Sequence, residues 1–141
     1  MPHTQALSSD VRIHAFRLLP DQDLKASIQA YVDQHGIQAG WIITCVGSLR
    51  ISNLRYANQP EGTRSSGYRE IVSMTGTLSP DGSHIHLCLS DHEGKTTGGH
   101  LLDGNIIYTT AEIVIGESPS LRFSREEDKD TGWKELKIRR L

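Results

Sequence analysis

Only one stretch of this sequence carries a helical period, and that constrains the fold more than any other feature. Leu24, Ile28, Tyr31 and Val32 recur at the spacing that lines one face of a helix. Asp21 offers an N-cap before them, and Gly36 follows His35 where a helix commonly ends in the left-handed conformation. Ahead of this segment, Val11 to Leu18 alternates as a strand and stops at Pro20.

After the helix, the chain reads as strand and turn to its end. Gly40 to Val46 is almost continuously apolar, which suits a strand buried on both faces. Gly47-Ser48 breaks it, and Ile51 to Ala57 resumes as a separate strand. Asn58 to Gly67 is polar with Gly and Pro, hence a loop. Tyr68 to Leu78 returns to strand pattern, and Pro80-Asp81-Gly82 turns the chain into Ser83 to Ser90. Beyond the Glu93-Gly94 turn, a glycine-rich loop is expected up to Gly104, then a long strand over Asn105 to Ile115. Leu121 to Ser124 and Leu136 to Ile138 are expected as short edge strands around the charged stretch Arg125 to Asp130.

Short turns favour antiparallel pairing, because parallel neighbours need long crossovers. The expected class is therefore α+β, a mostly antiparallel twisted sheet with one main helix packed on it. At 141 residues the chain fits one domain, expected over residues 11–141 behind an N-terminal extension of residues 1–10. One helix covers one face of such a sheet. The other face, partly apolar, is the kind of surface that self-association hides, so an oligomer is expected.

Two cysteines, Cys45 and Cys88, form no spaced framework and fit a reducing compartment. Met1 to Asp10 has no basic start leading into an apolar run, and nothing approaches the roughly 20 apolar residues that span a bilayer. The expectation is a cytoplasmic protein without a membrane partner. The formal net charge of −2 lacks the basic excess of a freestanding duplex-binding module. Lys134, Lys137, Arg139 and Arg140 gather near the end of the chain and read as a solvated tail.

The chemistry concentrates on histidine. Residues two apart on a strand share a face, so His84 and His86 project together about 7 Å apart at Cα, while Ile85, Leu87 and Leu89 take the core side. His100 follows Gly98-Gly99, whose backbone freedom lets the chain fold back toward that strand. Three neutral imidazoles would hold Zn2+ or another divalent metal with a position open, the pattern of a catalytic zinc site. Solvated surface polarity is the competing reading of the same pair. Cys88 shares the histidine face, Cys45 reads as inert core, and His92 lies in a turn. Glu70 and Glu112 interrupt strands that otherwise want burial, which requires pairing, hydrogen bonding or protonation. Each is a candidate general acid/base or an orienting partner for a metal-bound histidine; pairing with Arg50, Arg55 or Arg69 is the structural alternative. Gly94-Lys95-Thr96 is not a phosphate loop, because Leu89 stands where the pattern needs glycine and no helix follows.

These segments resemble the PPC domain ("plants and prokaryotes conserved"). The similarity rests on Gly47-Ser48-Leu49, the run Tyr68 to Leu78, His84-Ile85-His86-Leu87, Gly98-Gly99-His100-Leu101 and Ala111-Glu112, and it runs from about Val11 to Trp133. The resemblance implies a mostly antiparallel α+β fold and a homotrimer. It is closest to the stand-alone prokaryotic members, whose histidine triad matches His84, His86 and His100. Plant members carry AT-hooks that contact DNA, and no Arg-Gly-Arg-Pro hook occurs here. A fold-level similarity to acetolactate decarboxylase, which holds zinc with a comparable histidine set, implies metal binding and is analogy for the reaction. Three readings follow: a trimeric metal-binding protein with a small ligand or protein partner, a DNA-binding regulator, and a metal-dependent, lyase-like enzyme on a small oxo- or hydroxy-acid.

Overall fold

The structure is a computed structural model that describes residues 6–141. His3 and the first half of the expected N-terminal extension lie outside the described residues. Within the rest of that segment, Leu7 packs on a small cluster of Ala39, Leu121 and Phe123, and Ser9 accepts a hydrogen bond from Ser120.

Strand β1 (Arg12–Leu18) leads into helix α1 (Leu24–Gln34). The helix is capped by Asp23 rather than Asp21: its Oδ1 accepts from the Ala26 N–H at 3.0 Å, and its Oδ2 accepts from the Gly104 N–H at 2.6 Å. Asp21 turns the chain at φ 69° and accepts from Arg50. Past His35, Gly36 takes φ 63°, the left-handed C′ conformation expected of it.

Strands β2 (Gly40–Arg55), β3 (Thr63–Ser79), β4 (Gly82–Ser90), β5 (Thr96–Leu101) and β6 (Ile106–Glu117) complete a six-stranded antiparallel sheet in the order β1-β6-β2-β3-β4-β5. Three expectations change here. Strand β3 begins at Thr63, inside the expected loop from Asn58 to Gly67, because Thr63 to Ser66 pair with β2. Gly47-Ser48 does not end a strand; β2 runs straight through it with register shifts against β6. A Cβ at Gly47 would stand 2.1 Å from the Thr110 carbonyl oxygen, so this glycine permits close strand contact, not a turn. The expected glycine-rich loop is in part β5. Gly99 lies against β2, where a Cβ would stand 2.8 Å from the Arg55 carbonyl oxygen. Glycine runs read as loops from composition, yet here they mark where backbones nearly touch.

Because β5 also pairs with the end of β2, through Leu54↔Leu101 and Arg55↔His100, β2 to β5 close into a small ring. The fully buried Asn105 locks the exit from it. Its amide accepts from the Asn53 N–H at 2.9 Å and donates to the carbonyls of Asn53 and Leu102 at 2.8 and 2.7 Å. Asn105→Ala leaves those backbone groups without partners, and we expect a loss of about 2 kcal/mol in unfolding free energy by urea titration.

Strands β7 (Leu121–Glu127) and β8 (Lys134–Arg140) are not edges of the main sheet. They pair with each other as a separate hairpin. The core lies between α1 and the inner sheet face: Leu24, Ile28 and Val32 meet Leu49, Leu78, Ile85, Leu87, Leu101 and Ile113, each almost wholly buried. Burial of this kind contributes roughly 1.5–3 kcal/mol per side chain. The outer face stays uncovered, with Tyr68 66% and Val46 55% exposed and the Tyr68 and Tyr108 rings 4.3 Å apart. No helix among the described residues is long and apolar enough to cross a membrane.

Candidate metal centre

Alternation along β4 puts Ile85, Leu87 and Leu89 into the core and turns His84 and His86 outward, as the spacing requires. Strand β5 then sets His100 directly opposite His86 in register. His100 therefore reaches the pair from a neighbouring strand rather than from a flexible loop. The Nε2 atoms of His84 and His86 are 3.2 Å apart, and one nitrogen from each of the three imidazoles lies within 4.8 Å of the others. A tetrahedral zinc with nitrogen ligands needs donors about 3.3 Å apart, so small ring rotations close the set. Among the described residues nothing but imidazole nitrogen converges here, and an imidazole must be neutral to ligate.

The surroundings favour that neutral form. Partial burial, then the Arg55 guanidinium across the β2–β5 pairing, lower the His100 pKa to about 4. Partial burial and then Arg125 lower that of His84. In the metal-free protein, folded His100 stays neutral where an unfolded imidazole takes up a proton. The unfolded state thus binds more protons between pH about 6.5 and pH about 4, so stability is full above that window and falls as pH drops through it. Urea midpoints of chelator-treated protein should decline from pH 7 to pH 5, and His100→Gln should flatten the decline.

A cleft of about 1070 Å³ opens beside the triad, bordered by Tyr56, Leu87, Cys88 and Trp133 among others. Cys88 thus shares the histidine side, as expected. Cys45 is buried, its thiol pushed up to about 12 by burial and then by the charge of Glu112, which makes it unreactive.

The two carboxylates lie elsewhere. Glu70 and Glu112 are exposed on the outer sheet face and line neither this cleft nor its neighbours. Glu70 sits opposite Ser90, four residues along β4 from His86, or about 13 Å. Glu112 stands on β6 opposite Val46. Being exposed, they need no partner: Arg50 pairs with Asp21, and Arg69 donates to Ser52, Gly67 and Ser65. The carboxylate that is buried is Glu117, held by His14 at 2.8 Å and Arg12 at 3.4 Å. Sequence reasoning missed it because it ends its strand. It missed Arg55 and Arg125 at the site because both arrive from distant segments.

Three imidazoles converging on the open side of a one-helix antiparallel sheet define the class: an α+β domain with a three-histidine cluster. The chain belongs to the Plants and Prokaryotes Conserved (PCC) domain family, whose description matches residues 6–119. Over 134 residues it is 45% identical to a protein from Synechococcus sp. (strain JA-3-3Ab) named Bifunctional protein GlmU, matching 95% of this chain and 22% of that protein. The chain thus spans about a fifth of the length of the curated relatives it matches. A hypothetical protein of Salmonella cholerae-suis is similar in structure, with a TM-score of 0.94, 42% identity and coverage of 96% of this chain and 99% of that one. A metal-containing protein from Archaeoglobus fulgidus shares the fold at a TM-score of 0.81 and 24% identity, over 95% of this chain and 99% of that one. So does a structure from Bacteroides thetaiotaomicron named as a candidate DNA-binding protein, at 0.79 and 21%, over 92% of this chain and 96% of that one.

Proposed function

We propose that this PCC-domain protein binds one divalent metal ion, zinc, through His84, His86 and His100, and that it works as a homotrimer. The convergence of three imidazole nitrogens within 4.8 Å carries the first part. Three neutral nitrogen ligands with an accessible side suit zinc, which would supply a Lewis acid at the open position. The metal-containing neighbour from Archaeoglobus fulgidus lends support. The uncovered apolar face around Val46, Tyr68, Val72 and Tyr108 supports self-association. Cys45 and Cys88 are free thiols, which fits the cytoplasm as its compartment.

The test is elemental analysis of untagged protein with oligomer mass in parallel. We expect about one zinc per chain and three times the monomer mass. Monomer mass at micromolar concentration would remove the trimer without touching the metal. Tyr68→Arg, placing charge in the apolar face, should dissociate the assembly with metal content unchanged.

The open cleft favours a second reading, a lyase-like enzyme on a small acid, with Glu70 or Glu112 moving the proton. That role requires a second copy whose outer face reaches this cleft, since neither carboxylate lines it within one chain. A DNA-binding role has less support. The formal net charge is −2, and Arg12, Arg50 and Arg139 each pair with a carboxylate.

A further inference from the structure

The β7–β8 hairpin follows the stretch that matches the family description, yet it forms one wall of the histidine site. A second cavity of about 550 Å³ lies there, bordered by Arg125, Lys134 and Glu135 from the hairpin and by Arg55, Asp81, His84 and His100 from the main sheet and the β3–β4 turn. It shares Arg55, His84, His100 and Trp133 with the larger cleft, so the two form one trough passing over the imidazoles.

We propose that the hairpin and Arg55 make this trough a site for a small carboxylate with an apolar tail. The proposal rests on the metal reading above. One carboxylate oxygen would take the open metal position, and the other would accept from the guanidinium groups.

Two half-buried arginines without a carboxylate partner carry the argument. Among the described residues, neither Arg55 nor Arg125 has an acidic oxygen within salt-bridge distance. Arg125 spends one N–H on the Thr77 hydroxyl at 2.6 Å, which aims the group and leaves other donors available. The Arg55 guanidinium lies 5.6 Å from the centre of the Trp133 ring, a cation–π contact that holds it without using its donors. The guanidinium fork matches a carboxylate with two parallel hydrogen bonds.

Each of the cavity's two acids accepts a hydrogen bond and keeps its charge, and Glu135 acts on Arg125 through space without reaching salt-bridge distance. Asp81 accepts from the Arg125 backbone N–H at 3.0 Å, and Glu135 accepts from the Thr131 hydroxyl at 3.0 Å. Arg55, Arg125 and Lys134 set against Asp81 and Glu135 give three cations to two anions, one net positive charge before any metal. At the other end of the trough Tyr56 and Pro60 offer an apolar wall. A ligand with charge at one end only fits that polarity.

The experiment titrates zinc-loaded protein calorimetrically with butyrate, butyramide and inorganic phosphate, with metal content measured on each sample. We expect butyrate to bind at least about tenfold more tightly than its neutral amide. Arg125→Gln and Arg55→Gln should each remove most of that preference while retaining one zinc per chain. If Arg125→Gln fails to fold, Arg55→Gln and the butyrate–butyramide comparison still decide. Equal binding of butyrate and butyramide with zinc present overturns the carboxylate site alone. Tighter binding of phosphate than butyrate overturns it as well, reassigning the wall to phosphate. Wild-type protein that holds no zinc sinks the metal reading, and this site with it.

Discussion

His86→Ala and His100→Ala should each abolish stable metal binding, with zinc content falling from about one per chain to background after dialysis and affinity reduced at least about 100-fold. Loss of one imidazole leaves two nitrogens, on adjacent strands for His86→Ala's survivors and on a single strand for His100→Ala's. His100→Ala separates the proposal from its alternative most sharply. If His84 and His86 held the metal without His100, removing a residue from the next strand would leave the metal content unchanged. Retention of stoichiometric zinc in that variant would therefore refute the three-ligand site. Circular dichroism should match wild type in both variants, because the side chains face away from the core that Ile85, Leu87 and Leu101 occupy.

Gly47→Ala should lower unfolding stability by about 3 kcal/mol or more, although it adds only one methyl group. The new Cβ would stand 2.1 Å from the Thr110 carbonyl oxygen and 2.8 Å from the Ala111 Cα, and both are backbone atoms that no rotamer change moves aside. Strands β2 and β6 would have to separate at the centre of the sheet, where Cys45↔Ile113 and Gly47↔Ala111 pair. A urea midpoint shift at unchanged slope is the expected readout. By contrast Gly94→Ala meets nothing within 4 Å, and its cost comes from φ 79° alone, about 1 kcal/mol. If both substitutions cost the same, close strand approach is not what Gly47 provides.

Periodicity needs only local chemistry, and it settled much of this protein without help. The spacing of Leu24, Ile28 and Val32 defined the helix, and all three are buried in the structure. Alternation in β4 separated His84 and His86 from Ile85, Leu87 and Leu89, because pleating admits no other arrangement. The identity of the third imidazole was legible too, as a histidine behind paired glycines. The element that carries it was not. Gly98 and Gly99 look like a loop in sequence because nothing local shows that Arg55 and Tyr56 crowd the backbone there.

Glu70 and Glu112 expose the same limit from the other side. An acid within an apolar run is costly only if its face is covered, and which face is covered depends on where the single helix packs. The helix lies on the inner face, so both acids are solvated and the buried carboxylate is Glu117 beside His14. Arg55 and Arg125 sit 70 residues apart in sequence and border one cavity. Ring closure of β2 onto β5 and the fold of the terminal hairpin bring them together. Local pattern thus determined the helix, the two faces of β4 and the three imidazoles. It did not determine the faces of β2, whose run from Gly40 to Val46 reads as buried on both sides while Ile43 and Val46 are exposed. Only the tertiary structure decided which residues surround the imidazoles, because charge and burial are set by neighbours that are remote along the chain.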